Sequence, residues 1–194
     1  MIILGIDPSL TATGIIVLQY GQVETAVTTK NRPELDPVDR VRLIFEQINK
    51  IIQHPSITPD LIVIEGLSFH SKGQGLDKTF YLGWRIREEL KRFKESENIP
   101  WIEVPPTQLK QFATGKGNAN KEIILQQVYK RWGVEFSDNN QADAYVLARI
   151  GEAYLNWKAA NYILTEYQLG VIANLKGLKR EKPPAKKTRK KVKE

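Results

Sequence analysis

The chain has 194 residues, of which 41% are hydrophobic and 26% are charged, a composition suited to one globular domain with a real core. It contains no cysteine, which excludes disulfide bonds and thiolate metal sites. Its apolar runs are far too short to span a membrane, and its N-terminus lacks the order of a secretory signal. We therefore expect an intracellular, cytoplasmic protein with no membrane partner.

The formal net charge of +7 is unevenly distributed along the chain. Residues 176–194 contain ten Lys or Arg and two Glu, a net charge of +8, so residues 1–175 carry a net charge of −1. The segment 179–194 has almost nothing to bury and is predicted to be a disordered basic tail. Such a tail suits non-specific contact with the phosphates of a nucleic acid, although a purely solubilising extension would have the same composition.

The first thirty residues are predicted to form an antiparallel meander of three strands. The first apolar run ends in Asp7, and strands over 14–18 and 23–29 follow it. An apolar run of this kind is typical of a central strand buried on both faces, which can carry a charge only at its end. Asp7 is therefore either a ligand for a cation or a turn residue before Pro8.

Helices and two further strands follow in alternation. Asp36 and Pro37 open a helix, and the short apolar strand 61–64 ends in Glu65. The remaining elements are predicted as helices over 78–95, 107–112, 120–132, 139–157 and 163–178 and a strand over 101–104. The order predicts an α/β protein with a mixed five-stranded sheet and helices on both faces. We divide the chain into a body (1–158), a helical appendix (159–178) and the basic tail (179–194). The appendix has an apolar side that could dock on the body or across a dimer.

Three acids stand where they could meet. Asp7 and Glu65 each end a strand, and the ends of neighbouring strands gather at one edge of an open α/β sheet. Asp143 lies near the start of the last long helix, three residues after Asn140 and so on the same face. Converging carboxylates repel one another unless a cation screens them, and hard oxygen ligands select Mg²⁺ or Mn²⁺. The alternative is three unrelated surface acids at the ends of elements.

Five motifs stand in one order within residues 1 to about 150. They are Leu4–Ser9 with Thr13-Gly14, the strand 62–65, Leu82-Gly83 with Arg85, the segments 104–110 and 115–121, and residues 141–148. In this order they resemble the RuvC-type Holliday-junction resolvases of the ribonuclease H-like superfamily, and among these the divergent phage type.

The resemblance implies a ribonuclease H-like fold and a homodimeric endonuclease that cleaves four-way and related branched DNA, leaving 5′-phosphate and 3′-hydroxyl ends. It implies that Asp7, Glu65 and Asp143 bind two Mg²⁺ ions, for which Mn²⁺ would substitute, and that no nucleotide cofactor is needed. Residues expected to contact DNA are Phe69, Lys72, Lys110, Lys116 and Lys121. Alternatively, Phe69 is a core residue at the base of a loop, and the lysines at 110 and 121 belong to solvated helix faces.

One position departs from the family pattern. Three residues before the last acid the family has another acid or a histidine, and here that position is Asn140. An amide oxygen can still ligate Mg²⁺ or Mn²⁺, but more weakly and without charge. Asp138 would point elsewhere on a continuous helix and is expected to be the N-cap. We therefore predict three carboxylates with Asn140 as an accessory metal ligand.

Other functions stay open at this stage. A relative that binds branched DNA without cleaving it would tolerate the change at Asn140. A sister nuclease acting on flaps or RNA–DNA hybrids would use the same acids. The first motif also resembles the phosphate loop of actin-like ATPases, but those proteins need two such domains, more than 194 residues can supply.

Overall fold

The computed structural model describes residues 1–29, 32–67 and 76–178, so Phe69, Lys72 and the tail 179–194 lie outside the described residues. In chain order the described elements are β1 (Ile2–Asp7), β2 (Gly14–Gln19), β3 (Gln22–Thr28), α1 (Pro37–Ile52), β4 (Leu61–Glu65), α2 (Leu76–Ser96), β5 (Trp101–Val104), α3 (Pro106–Thr114), α4 (Lys121–Trp132), α5 (Asn139–Asn156) and α6 (Glu166–Leu175). They form one sheet in the spatial order β3-β2-β1-β4-β5. The first three strands are antiparallel, and β4 and β5 continue parallel to β1. This confirms the predicted mixed five-stranded sheet.

Three helices, α2, α3 and α6, differ in length by three or more residues from their predictions. α3 runs from Pro106 to Thr114, longer than the predicted turn, and ends at Gly115, which adopts φ of 83°. α6 begins at Glu166 and not at the predicted residue 163. The side-chain oxygen of Gln168 accepts a hydrogen bond from the backbone N–H of Thr165 at 3.0 Å, which makes Thr165 the N-cap. Within the described ranges, no helix combines the length and apolarity that a membrane span requires.

Alternate side chains of the central strands enter two different layers. The α5 layer is the core that β1 and β4 form with α3, α4, α5 and α6, and the α1–α2 layer is the core on the opposite face. Ile3, Leu61 and Val63 belong to the α5 layer. The α1–α2 layer takes the residues between them, Leu4, Ile6, Ile62 and Ile64. This alternation follows from the two-residue repeat of a strand.

Helix α5 lies directly on the sheet because glycines face it. A Cβ added to Gly5 would overlap the carbonyl oxygen of Ala144, and one added to Gly14 would overlap the carbonyl oxygen of Asn140. From the helix side, a Cβ on Gly151 would lie 2.6 Å from side-chain carbons of β1 and β4. The helix backbone therefore contacts the sheet backbone at β1 and β2.

The last helix docks on the body of the molecule. Val171 and Ile172 of α6 are fully buried and share the α5 layer. The helix packs against α3, and the side-chain amide of Gln168 donates a hydrogen bond to the carbonyl oxygen of Phe112 at 3.4 Å. The apolar side of the appendix was expected to dock either on the body or across a dimer, and α6 docks on the body. The division of the chain at residues 158 and 178 stays a prediction.

Candidate active site

Asp7 and Glu65 meet at the ends of two neighbouring parallel strands. β1 and β4 are paired up to the residues that precede these acids, so both side chains emerge at the same edge of the sheet. Because side chains alternate along a strand, both acids project on the side of α5, as Gly5 and Val63 do two residues before them. The register of the sheet thus sets the position of both acids.

Asp143 reaches the same edge from α5. The backbone carbonyls of Asn140 and Ala144, on either side of it in sequence, rest on the glycines of β2 and β1. The glycine on β2, Gly14, is paired with Asp7 in the sheet. Asp143 and Asp7 are both buried, with 8% and 7% of their surface exposed. The close contact between helix and sheet therefore places the third acid beside the first.

Burial and the charge of a neighbouring acid disfavour the ionised form of each of the three acids. Burial raises the pKa of Asp143 to about 7, and the charge of Asp7 adds to this effect. Burial also raises the pKa of Asp7 well above its usual range, with further contributions from the charge of Glu65 and from a hydrogen bond shared with it. The pKa of Glu65 is raised by burial and by the charge of Asp143. Such repulsion is relieved by a proton or by a cation.

Two lysines bring positive charge to this edge. Lys110 lies on α3 and Lys121 is the first residue of α4. Although burial has the larger effect, the charges of both lysines lower the pKa values of Glu65 and Asp143. Lys116, the third predicted lysine of this segment, is exposed on the turn between α3 and α4. The structure therefore brings Lys110 and Lys121 to the acids and leaves Lys116 on the turn.

The donor set suits a hard divalent cation. It consists of three carboxylates, with the amide oxygen of Asn140 on the same helix face as Asp143. Within residues 1–29, 32–67 and 76–178, however, no group of three or more His, Cys, Asp or Glu side chains is arranged to hold a metal ion. Burial and the charge of Glu65 both disfavour the ionised form of Asp7, so a cation bound here would compete with a proton for that carboxylate.

Asp138 is the N-cap of α5, as predicted, but it also holds the side chain of Asn140. Its Oδ1 accepts hydrogen bonds from the backbone N–H and from the side-chain Nδ2 of Asn140, both at 2.8 Å. Its Oδ2 accepts a hydrogen bond from the hydroxyl of Thr28, at the end of β3. Burial raises the pKa of Asp138, but these hydrogen bonds outweigh it and the pKa is lowered. The sequence predicted the cap and the accessory ligand separately, and the structure joins them.

Sequence reasoning missed Arg87, which is buried on α2 with 5% of its surface exposed. Its guanidinium donates hydrogen bonds to both carboxylate oxygens of Glu103, at 2.9 and 2.8 Å. It also donates to the backbone carbonyls of Gly83, at 2.8 Å, and Glu65, at 3.3 Å. Arg87 thus fastens α2 and β5 to the strand end that carries Glu65. The available signal was an arginine between apolar helix positions, with an acid in the following strand.

The fold and the site together indicate the class of protein. A mixed five-stranded sheet with three acids at the edge beside α5 is the arrangement of a ribonuclease H-like nuclease. The family model described as crossover junction endodeoxyribonuclease RuvC matches residues 3–149, and the chain belongs to this RuvC family. Members of the family are metal-dependent nucleases. The predicted family is therefore confirmed.

Individual relatives agree with this assignment. The crossover junction endodeoxyribonuclease RuvC of Gloeobacter violaceus is 27% identical over 183 residues, covering 88% of this chain and 98% of its own. That of Synechococcus sp. (strain WH7803) is 30% identical over 165 residues, covering 78% and 97%. The structure of Thermus thermophilus RuvC is 23% identical with a TM-score of 0.65, covering 81% of this chain and 96% of its own. Its complex with a Holliday junction substrate is 24% identical with a TM-score of 0.61, covering 76% and 90%. This structural likeness shows a shared fold.

Proposed function

We propose that this protein is a structure-selective endonuclease that cleaves four-way (Holliday) and related branched DNA, leaving 5′-phosphate and 3′-hydroxyl ends. The reaction would be a hydrolysis with two Mg²⁺ ions per site, for which Mn²⁺ can substitute, and without a nucleotide cofactor. The observation that carries the proposal is the meeting of Asp7, Glu65 and Asp143 at one sheet edge, with Lys110 and Lys121 beside them. Membership in the RuvC family supports it.

Each group of residues has a role in this proposal. The metal ions, when bound, supply an activated water and offset the charge that develops on the leaving oxygen. The three acids would hold the metals, with Asn140 as an accessory ligand. The acids on β1 and β4 are held in place by the sheet register, so little reordering of the backbone is needed when substrate binds. Lys110 and Lys121 offer positive charge to the phosphates next to the cleaved bond.

The remaining predicted DNA contacts stay proposals. Lys116 is exposed and stands between two glycines, which allow a phosphate to approach the backbone closely. Phe69 would stack on bases at the junction, and Lys72 would contact the backbone from the same segment. Both belong to the part of the chain that follows Glu65 and lies outside the described residues.

The acids are tested by removing them one at a time. Asp7→Asn and Asp143→Asn should reduce cleavage of a synthetic four-way junction in Mg²⁺ by at least about 100-fold, because each removes a charged metal ligand. The mutants should still bind the junction in a gel-shift assay without metal. Glu46→Gln, which changes an exposed acid on α1, is the matched control and should cut normally. If the two acid mutants cut as well as wild type, the proposed site is wrong.

Substrate class is tested in one assay that compares a four-way junction, a flap and an RNA–DNA hybrid. We expect the junction to be cut fastest. Faster cleavage of the flap or the hybrid would instead indicate a sister nuclease. Tight junction binding with no cleavage in either Mg²⁺ or Mn²⁺ would indicate a relative that binds without cutting.

We further propose that the protein acts as a homodimer in the cytoplasm, since resolving a junction needs two nicks in opposing strands and two copies supply two sites. The exposed side of α2 supports a contact between copies, because Tyr81 and Trp84 leave 44% and 61% of their surface exposed there. Sedimentation should give twice the chain mass of 22.2 kDa. A monomer at the concentrations that support cleavage would contradict the dimer.

A further inference from the structure

We infer that Asp138 is a positioning residue for the metal site: through its hydrogen bonds it fixes and polarises the amide of Asn140, so that the two residues together replace the acid or histidine that the family has at the position of Asn140. This inference rests on the proposed metal-dependent function. Asp138 would then have a second role besides capping α5, which is to hold and polarise the side chain of Asn140.

Asp138 sets the orientation of the side-chain amide of Asn140. An ionised carboxylate only accepts hydrogen bonds. Asn140 must therefore turn its NH₂ group towards Asp138, which it does at 2.8 Å. The carbonyl oxygen is then directed away from Asp138 and is the one atom of that amide able to ligate a cation. Rotating the amide by half a turn would place its oxygen against the carboxylate and lose the hydrogen bond.

The negative charge of Asp138 polarises the amide of Asn140. Both oxygens of Asp138 accept hydrogen bonds, from Thr28 and from Asn140, and these favour the ionised form. A hydrogen bond to an ionised group is stronger than one between neutral groups and polarises the donor. The Asn140 amide therefore carries more negative charge on its oxygen than an isolated amide does. The charge missing from position 140 is supplied from position 138.

Asp138 and Asn140 lie close to the acids of the site. The backbone of Asn140 rests on Gly14, the sheet partner of Asp7. Asn140 also shares a helix face with Asp143. The charge of Asp138 itself acts on Asp7. The Asp138–Asn140 pair is thus beside two of the three acids. Thr28 anchors it to the far end of β3, so the pair is held by the sheet as well as by the helix.

The experiment measures Mn²⁺ binding to the full-length protein without DNA, by the electron paramagnetic resonance signal of free Mn²⁺. Asp138→Asn keeps a side chain that caps helices as well as Asp does but removes the charge. We expect it to weaken Mn²⁺ binding by about 10-fold, as is usual for a partner of a metal ligand, with the thermal unfolding midpoint of the metal-free protein close to wild type. Glu46→Gln is the control for loss of one carboxylate and should bind Mn²⁺ normally.

A rescue separates positioning from capping. Asn140→Asp added to Asp138→Asn puts the charge back at position 140 and should restore Mn²⁺ affinity. If Asp138→Asn binds Mn²⁺ as wild type does, or if the second substitution fails to restore binding, Asp138 is only a helix cap and the inference is wrong. Failure of the proposed function looks different: Asp7→Asn would then cut the junction normally, whatever position 138 does.

Discussion

The two faces of the same sheet serve different purposes. On the α1–α2 side, β1 and β4 present only large aliphatic side chains, Leu4, Ile6, Ile62 and Ile64, all fully buried. On the α5 side the same strands end in a glycine and two acids. Burial of large aliphatic groups stabilises the fold, whereas buried acids destabilise it. Alternate residues of one strand therefore separate stability from chemistry, and substitutions at neighbouring positions should affect different properties.

The largest effect is expected where the helix backbone touches the sheet. Gly5→Ala should lower the free energy of unfolding by about 3 kcal/mol or more and also lower cleavage, because the new Cβ overlaps the backbone of α5, which cannot rotate away. Urea unfolding and junction cleavage measure the two effects. Gly66→Ala is the control, since its Cβ would meet nothing closer than 3.4 Å. A Gly5→Ala protein as stable as wild type would show that the close contact does not constrain the helix.

The neighbouring pair Ile6 and Asp7 tests the separation of the two faces directly. Ile6→Ala should lower the free energy of unfolding by about 3 kcal/mol, because a fully buried side chain is lost, but leave the cleavage rate of the folded enzyme nearly unchanged. Asp7→Asn should abolish cleavage without loss of stability. Both are measured below the unfolding temperature of the weaker variant. Equal losses of activity and stability in both variants would refute the separation.

The pH dependence of stability should reveal the acids of the α5 face. The pKa of Asp143 is about 7 in the folded protein against an ordinary 3.8, so between these values the unfolded chain is ionised and the folded chain still holds the proton. The folded state binds more protons, and its stability therefore falls as the pH rises. From about pH 5 to 7 we expect a loss of about 2 kcal/mol from Asp143 alone, measured by urea unfolding with a chelator.

Two comparisons sharpen that measurement. Asp143→Asn should reduce the pH dependence, because one of the three acids with a raised pKa is gone. Adding Mg²⁺ or Mn²⁺ at about pH 8 should restore stability to the wild type. Metal added at about pH 6, where Asp143 still holds its proton, should release protons as it binds. A metal-free wild type that is as stable at pH 8 as at pH 5 would mean that the acids do not strain the fold.

The smallest expected effect concerns Arg87. Arg87→Lys keeps the charge but loses the paired hydrogen bonds to Glu103 and the bond to the carbonyl of Glu65. We expect a loss of about 1 kcal/mol in stability, because water can still reach Glu103. The Mg²⁺ concentration for half-maximal cleavage should rise several-fold, with little change at saturating Mg²⁺. Arg42→Lys, which changes an exposed arginine of α1, should change neither quantity.

Local signals explain what the sequence could predict. The strand ends at Asp7 and Glu65 follow from apolar runs that stop at a charge, and the start of α5 follows from its cap. Because side chains alternate along a strand, the sequence also determines on which face of the sheet the two acids lie. Contacts between distant segments left no such signal. Thr28 bonds to Asp138 across 110 positions of the chain, and Arg87 finds Glu103 only once α2 packs on the sheet.

The contact of α5 with the glycines of β1 and β2 has a consequence for how this molecule can change. The spacing of Asp143 from Asp7 is set by backbone atoms in hard contact and not by the shapes of surrounding side chains. Aliphatic residues of either core can be exchanged, and stability can drift up or down, while the acids keep their distance. Gly5 and Gly14, which have no side chain at all, are two positions that cannot vary without moving the site.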